Sequence, residues 1–441
     1  GAPEDYNQWA EDTGDASWSW SAVQSFFEIC EAAPADADRR LGRTGGITLN
    51  RPQPLNDLAR AFIDAGEKIG LPVRSDLSIS DIAGVGEYLT TVERGLRTSS
   101  SNVYLKPALN RKNLTLLTNT LAVSVKFGDG NIASGVRIRR QGKEILVRAN
   151  RGVVLSGGAV NSPQLLMLSG IGESGHLKAH GIRTHINLPA VGKNLQDHFG
   201  ARIVASVSEP LTINDDFRRP WRLAKHGMNY LLRRSGPLTI GGAQAGAFLS
   251  SPLASGPPDI QVHFLPLSTR GTGWSFHPYS GVTANVCQLR PYSRGSVKLR
   301  SPDPETPPDI DPNYLADERD QKTLAEGLRI TRKIFSAPPF STRFSAHEEI
   351  PGAKHTSDAE LMDYARANGS TVFHPVGTCR MGQGDDSVVD SGFLIRGTRN
   401  LWVADASVIP TIPSGNTNAV TMMLAERAGV AIRDALMKEA Q

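Results

Sequence analysis

At 441 residues the chain is long enough for roughly two to three domains with a sizeable core, and at 39% hydrophobic and 21% charged it has a globular composition. Its 48 basic and 44 acidic residues leave a formal charge of only +4, which excludes a nucleic-acid binder held by bulk electrostatics. Cys30, Cys287 and Cys379 are too few and too scattered for a disulfide framework or a zinc module. A reducing compartment, the cytoplasm, is expected, and no apolar run reaches membrane-span length.

Residues 17–32 read as a helix behind a Trp-rich turn, with Val23, Phe26, Phe27 and Cys30 at helical spacing. Residues 55–69 form a second amphipathic pattern, stopped by Gly70. From about residue 114 the period becomes two. LTLLTN (114–119), LAVSVKF (121–127), ASGVRIRR (133–140) and EILVRA (144–149) are expected strands of an antiparallel meander, turned at 128–131 and 141–143. It leads into GVVLS (152–156), an apolar strand of the buried kind, then Gly157-Gly158 and a helix over 162–169 with Pro163 in its first turn. Further strands are expected near 201–207, 259–267, 281–289 and 295–301. A polar helix follows at 316–336, a buried strand at 400–409 and a long helix at 417–437.

A literal G-x-G-x-x-G occurs at Gly170, Gly172 and Gly175, but a helix precedes it where a phosphate loop requires a strand. These glycines read as a helix stop and loop. Ser156-Gly157-Gly158-Ala159 sits at a strand-to-helix switch, where backbone can approach a cofactor. A plain tight turn explains the same residues equally well. His176 and His180 have i, i+4 spacing without the acidic residue of a zincin, so surface histidines and no metal site are expected. His198, in VGKNLQDHF, has a polar structural role as its default reading. His374 lies in VFHPVGTCRMG (372–382), apolar around the imidazole and Gly-rich after it, as suits a fixed loop carrying a general base. Asn416 stands where the last helix begins. It can cap that helix and also face a substrate oxygen.

Taken with DYNQWAED (5–12), YLKPALNRKNLTLLTN (104–119), VVLSGGAVNSPQLLMLSGIG (153–172), VGKNLQDH (191–198), GPLTIGGAQAGAF (236–248), FHPVGTCRMG (373–382) and LWVADASVIPTIPSGNTNAVTMMLAERA (401–428), the sequence resembles the glucose–methanol–choline (GMC) family of flavin oxidoreductases. The resemblance spans essentially the whole chain. It implies an α/β (α+β) fold: a FAD-binding α/β domain assembled from discontinuous segments, 104–198 and 385–441, plus a substrate domain at 199–384 with an antiparallel sheet and helices. Residues 1–103 would be helical and loop segments bridging the two.

The resemblance further implies FAD as cofactor and oxidation of a primary or secondary alcohol, with His374 as catalytic base and Asn416 at the second catalytic position. Backbone around Ala122 would meet the adenine, and Ser156 and Gly157 would line the adenosine side. Asp405 and Ala406 would approach the pyrophosphate and ribityl chain, Thr417 and Asn418 the flavin N1–C2=O edge. Phe373 would wall the substrate pocket. A hydroxynitrile lyase on the same scaffold, or a non-catalytic fragment unable to hold FAD alone, are the alternatives. Family members carry a strand, a G-x-G-x-x-G loop and a ribose-binding acidic residue ahead of the segment that resembles residue 1 onward here. That segment is expected to be missing, through a proteolytic nick that leaves a separate N-terminal fragment of the same protein to complete the FAD site, through truncation, or through a true deletion.

Overall fold

In the computed structural model, which describes all residues except 38–39, 240, 242, 272–274 and 439–441, the chain opens with two packed helices, α1 (Pro3–Thr13) and α2 (Trp20–Cys30). Pro3 pre-sets the first turn of α1, Glu4 and Asp5 complement its positive end, and Gly14 closes it in the left-handed conformation (φ 61°). Tyr6 meets Trp9 and Phe27 edge-on at centroid distances of 5.1 and 5.5 Å, the favoured aromatic geometry. Helix α3 (Asp57–Lys68) is capped by Asn56 Oδ1, which accepts from the Leu58 amide at 2.8 Å. Strand β1 (Gly84–Glu87) follows.

The expected meander forms as β2 (Thr120–Phe127), β3 (Ala133–Arg140) and β4 (Lys143–Arg148). Gln141 and Gly142 turn β3 into β4 with φ of 50° and 74°, the two positive angles that a two-residue hairpin of matching twist requires. The strand expected at 114–119 does not form. Leu114, Leu116 and Leu117 are exposed, and the segment has no ladder partner. Strand β5 (Val153–Leu155) leads through Ser156-Gly157 into α4 (Gly158–Leu168). This helix begins earlier than expected, so Pro163 lies inside it. The missing proline N–H leaves the Ala159 carbonyl without its helical donor, and the Thr378 hydroxyl supplies one at 2.6 Å. Gly170 (φ 82°) then ends the helix region as read, but the loop reading of the other two glycines is corrected: Gly172 lies in a two-residue strand paired with Asn187, and Gly175 in a short helix, Ser174–Ala179.

The chain continues through β6 (Phe199–Ser206), α5 (Pro220–Arg233), β7 (Ala245–Leu249), β8 (Ile260–Leu265) and β9 (Gly281–Gln288). Then come α6 (Glu318–Ser336), β10 (His347–Ile350), α7 (Asp358–Asn368), β11 (Leu401–Val403) and α8 (Thr417–Lys438). The strand expected at 400–409 is only β11. Asp405 Oδ1 accepts from the Ser407 amide and caps a tight turn at 406–408 instead.

Two hydrophobic cores organise these elements. The first gathers α1, α2, α4, β5, β11 and α8. Within it β5 and β11, far apart in sequence, pair in parallel from Val153↔Leu401 to Leu155↔Val403. This core thus draws on segments far apart in sequence, and it includes α1 and α2, which were expected among bridging segments. The second core lies under an eight-stranded sheet, with β10, β6, β9, β8, β7 and β1 in that order. Period two divides this sheet sharply. Ala201, Ile203, Ile260, Val262, Phe264, Val282, Ala284 and Val286 are buried on one face with α3, α6 and α7. Gln261, His263, Asn285 and Arg202 point to the other. There Arg202, Asn285 and His263 stand in register on three adjacent strands, and this polar face forms one wall of the site.

Candidate active site

Four side chains from distant segments form one hydrogen-bonded line. His198 Nε2 lies 3.0 Å from the Leu289 carbonyl oxygen, which can only accept, so this nitrogen carries the proton. Burial holds His198 well below the ordinary histidine range, with the neighbouring His374 adding to the effect, so the ring is neutral. Its Nδ1 is therefore a lone pair, and it accepts from His374 Nδ1 at 3.0 Å. Burial likewise lowers His374 to about 4. A neutral His374 protonated on Nδ1 has a bare Nε2. That atom lies 3.1 Å from Asn416 Nδ2. The amide orientation is fixed from behind, because Gln261 Nε2 donates to Asn416 Oδ1 at 3.2 Å and to Tyr88 Oη at 3.0 Å. His263, lowered to about 4 by burial and then by His374, also sits beside Asn416.

The loop carrying the base is held through its backbone. Asp197 Oδ1 accepts from the His374 amide at 2.8 Å, while Oδ2 accepts from Tyr314 at 2.5 Å and from Thr371. Burial raises the Asp197 carboxyl, and these hydrogen bonds oppose the rise. Phe373 takes a left-handed backbone (φ 65°), uncommon for an aromatic residue. Its ring is 82% exposed at the rim, while His374 next to it is 8% exposed.

His374, Asn416 and Phe373 line a cavity of about 1080 Å³, together with His263, Asn285, Arg202, Arg97 and Arg270. Asn416 also lines a smaller cavity of about 230 Å³ with Asn418, Tyr6 and Glu31. Ala122, Ser156 and Gly157 line a third, of about 610 Å³, at the ends of β5 and α4. Asp405 joins this region from below: its Oδ2 accepts from the Gly158 amide at 2.9 Å and the Ser162 hydroxyl at 2.5 Å. Ser156 Oγ reaches the Ala404 carbonyl at 3.1 Å. Ala406 is half-buried in the turn after Asp405, and its carbonyl accepts from the Gly377 amide at 3.3 Å. Thr417 is buried at the first turn of α8. The structure thus joins His374 to Asn416, and Ser156–Gly158 to Asp405. Of the expected cofactor residues, Ala122, Ser156 and Gly157 line one cavity and Asn418 another. Asp197, His198, Gln261 and His263 were not expected in the site. Polar residues buried on an otherwise apolar strand, Gln261 above all, were the available signal.

Family models described as GMC oxidoreductase match residues 1–200 and 291–425. The chain is 38% identical over 430 residues to an alcohol dehydrogenase [acceptor] of Pseudomonas putida, covering 97% of this chain and 78% of that protein. It is 36% identical over 443 residues to an oxygen-dependent choline dehydrogenase of Staphylococcus haemolyticus, covering 98% and 76%. Among solved structures it resembles formate oxidase of Aspergillus oryzae (TM-score 0.90, 26% identity, 99% of this chain and 81% of that one). A pyridoxine 4-oxidase from Mesorbium loti aligns with TM-score 0.86 and 28% identity over 98% and 80%. The chain belongs to the GMC oxidoreductase family. One expectation is corrected: the N-terminal family model matches from residue 1, so a missing segment supplied by a separate fragment is not borne out.

The residues present fit a flavin. Tyr6 Oη and Glu31 Oε2, both on the 230 Å³ cavity, are buried without a hydrogen-bond partner. Burial pushes Glu31 up to about 7. Orphaned polar atoms of this kind call for a ligand with its own donors and acceptors. The start of the 22-residue α8 beside them favours negative charge.

Proposed function

We propose that the chain oxidises a primary or secondary alcohol to the carbonyl compound, with FAD as cofactor and His374 as base. The observation that carries this reading is the line from Leu289 through His198, which leaves a lone pair on His374 Nε2 beside the Asn416 amide. FAD supplies the acceptor for the hydride leaving carbon. The protein has to take the hydroxyl proton and hold the oxygen. An alcohol entering between the two side chains donates its O–H to His374 Nε2 and accepts from Asn416 Nδ2. Proton transfer then leaves His374 protonated on both nitrogens, and its Nδ1–H keeps its bond to His198 throughout. Ser156, Gly157 and Ala122 would hold the adenosine end, with Asp405 and Ala406 behind them. Thr417 and Asn418 would face the pyrimidine edge of the ring, and Phe373 the rim.

The relatives' names, alcohol and choline dehydrogenase, disfavour a lyase or an inactive fragment. For the substrate, the cavity around His374 supports an uncharged or anionic alcohol over a cationic one. Arg97, Arg202 and Arg270 line it, and none of its described lining residues is a carboxylate. The three cysteines are buried free thiols, which supports the cytoplasm. Anaerobic stopped-flow reduction tests the mechanism. His374→Ala should slow flavin reduction by about 10²–10⁴-fold, the usual worth of a general base, with substrate binding largely kept. Near-normal reduction in that variant would refute the assignment.

A further inference from the structure

Helix α5 presents its apolar stripe to solvent. Trp221, Met228, Leu231 and Leu232 fall within an arc of roughly 100° at 3.6 residues per turn and are 62%, 61%, 73% and 74% exposed. No residue of the helix is buried. Its polar side faces the protein instead: Arg222 and His226 reach Asp216 at 3.5 and 3.1 Å. Leu238, in the turn just beyond, is exposed as well. So is Leu96, on a hairpin whose Gly95 backs onto Arg234. A soluble surface seldom keeps such a contiguous patch without a use for it.

The charges around the stripe are of one sign. Residues 217–234 hold Arg218, Arg219, Arg222, Lys225, Arg233 and Arg234 and no acidic residue. Arg218 and Arg222 pair with Asp215 and Asp216. The other four have no ion-pair partner among the described residues. An apolar stripe carrying Trp and Leu, with Lys225 at its edge and the exposed cations Arg219, Arg233 and Arg234 at the helix ends, is the pattern of a helix lying in a bilayer interface. It differs from a spanning segment, and among the described residues no helix is long and apolar enough to cross a membrane.

We propose that α5 docks the protein on the surface of an anionic phospholipid bilayer. The Trp221–Leu232 stripe enters the headgroup–acyl boundary, and Arg219, Lys225, Arg233 and Arg234 meet lipid phosphates. A second copy of the chain fits this face poorly, since pairing it with itself would bring the same four unpaired cations together. The docked face adjoins the site, because Arg97, next to Leu96, lines the His374 cavity.

Co-sedimentation of the FAD-loaded full chain with vesicles tests this, using phosphatidylcholine alone or mixed with phosphatidylglycerol. Binding to the anionic vesicles should be about tenfold or more tighter than to the neutral ones. The double substitution Leu231→Glu/Leu232→Glu should weaken it by about tenfold or more, and Lys225→Glu/Arg233→Glu should do the same. These side chains are exposed, so melting temperature and flavin absorbance should stay unchanged. Failure to sediment with anionic vesicles would overturn the proposal, as would equal binding by the Leu231→Glu/Leu232→Glu protein. A dimer in light scattering that this double substitution dissolves, without vesicle binding, would give the face to a second copy and overturn it too.

Discussion

The Nδ1 atoms of His198 and His374 lie 3.0 Å apart, and the carbonyl of Leu289 on the far side of His198 decides which of them carries the proton. A backbone oxygen just past the end of β9 thereby sets the tautomer of an imidazole on a distant loop. The His374 nitrogen facing the cavity is left free to accept.

Replacing His198 should therefore disturb chemistry more than binding. His198→Ala should lower the rate of flavin reduction by about ten- to a hundredfold, part of the full worth of a general base, with a smaller change in KM. His198→Asn keeps an acceptor for His374 Nδ1 and should recover part of the loss. A variant that changes only KM, or an asparagine no better than alanine, would argue against the relay.

The pH dependence should be displaced to acid. His374 and His263 are lowered to about 4, so the base is neutral across the physiological range. Flavin reduction should be flat from about pH 6 to 8 and lose half its rate only near pH 4, not at the ordinary histidine value of about 6.5. Stability follows the same sign. The unfolded chain takes up these protons before the folded one does. The stability held by the neutral rings is complete above about pH 6.5 and lost as pH falls toward about 4. Melting temperatures recorded across that interval should decline, and a flat series would contradict the buried-neutral assignment.

Asp197 ties the base loop to Tyr314 and Thr371. Asp197→Ala leaves the buried His374 amide and two hydroxyls without their acceptor. Each abandoned donor costs about 1–3 kcal/mol, so thermal unfolding should shift down by several degrees. Flavin reduction should fall with it, as the imidazole loses its register with Asn416. Unchanged stability would show that water satisfies these groups.

Choline should be a poor substrate. With Arg97, Arg202 and Arg270 on the cavity, an uncharged alcohol of equal size should be favoured in kcat/KM by about tenfold or more, since like charges brought together across a dry surface are costly. Arg202→Glu should narrow the gap. A wild-type preference for choline would overturn this reading of the pocket.

Much of this arrangement was legible in the sequence because it rests on local chemistry. The glycines at 170 and 142, the period-two strands and the motif blocks around His374 and Asn416 are read from neighbours a few residues away. What failed depended on partners elsewhere. LTLLTN alternates like a strand, yet no second strand lies beside it. Pro163 sits inside a helix because Thr378, over 200 residues later, satisfies the carbonyl that proline abandons. His198 passed as structural because nothing near it in sequence reveals that its ring touches His374. Gln261 and His263 looked like ordinary strand residues until the sheet placed them against Asn416.

The divided sheet has a consequence for how this enzyme can change. The strand Ile260–Leu265 carries oil and chemistry on alternate residues, so deleting or inserting one residue there exchanges the two sets. Val262 and Phe264 would swing into the cavity while Gln261 and His263 were driven beneath it. Point substitutions can tune the pocket here, but any change in strand length disables catalysis and folding in one stroke. Variation in length is confined to the connecting loops.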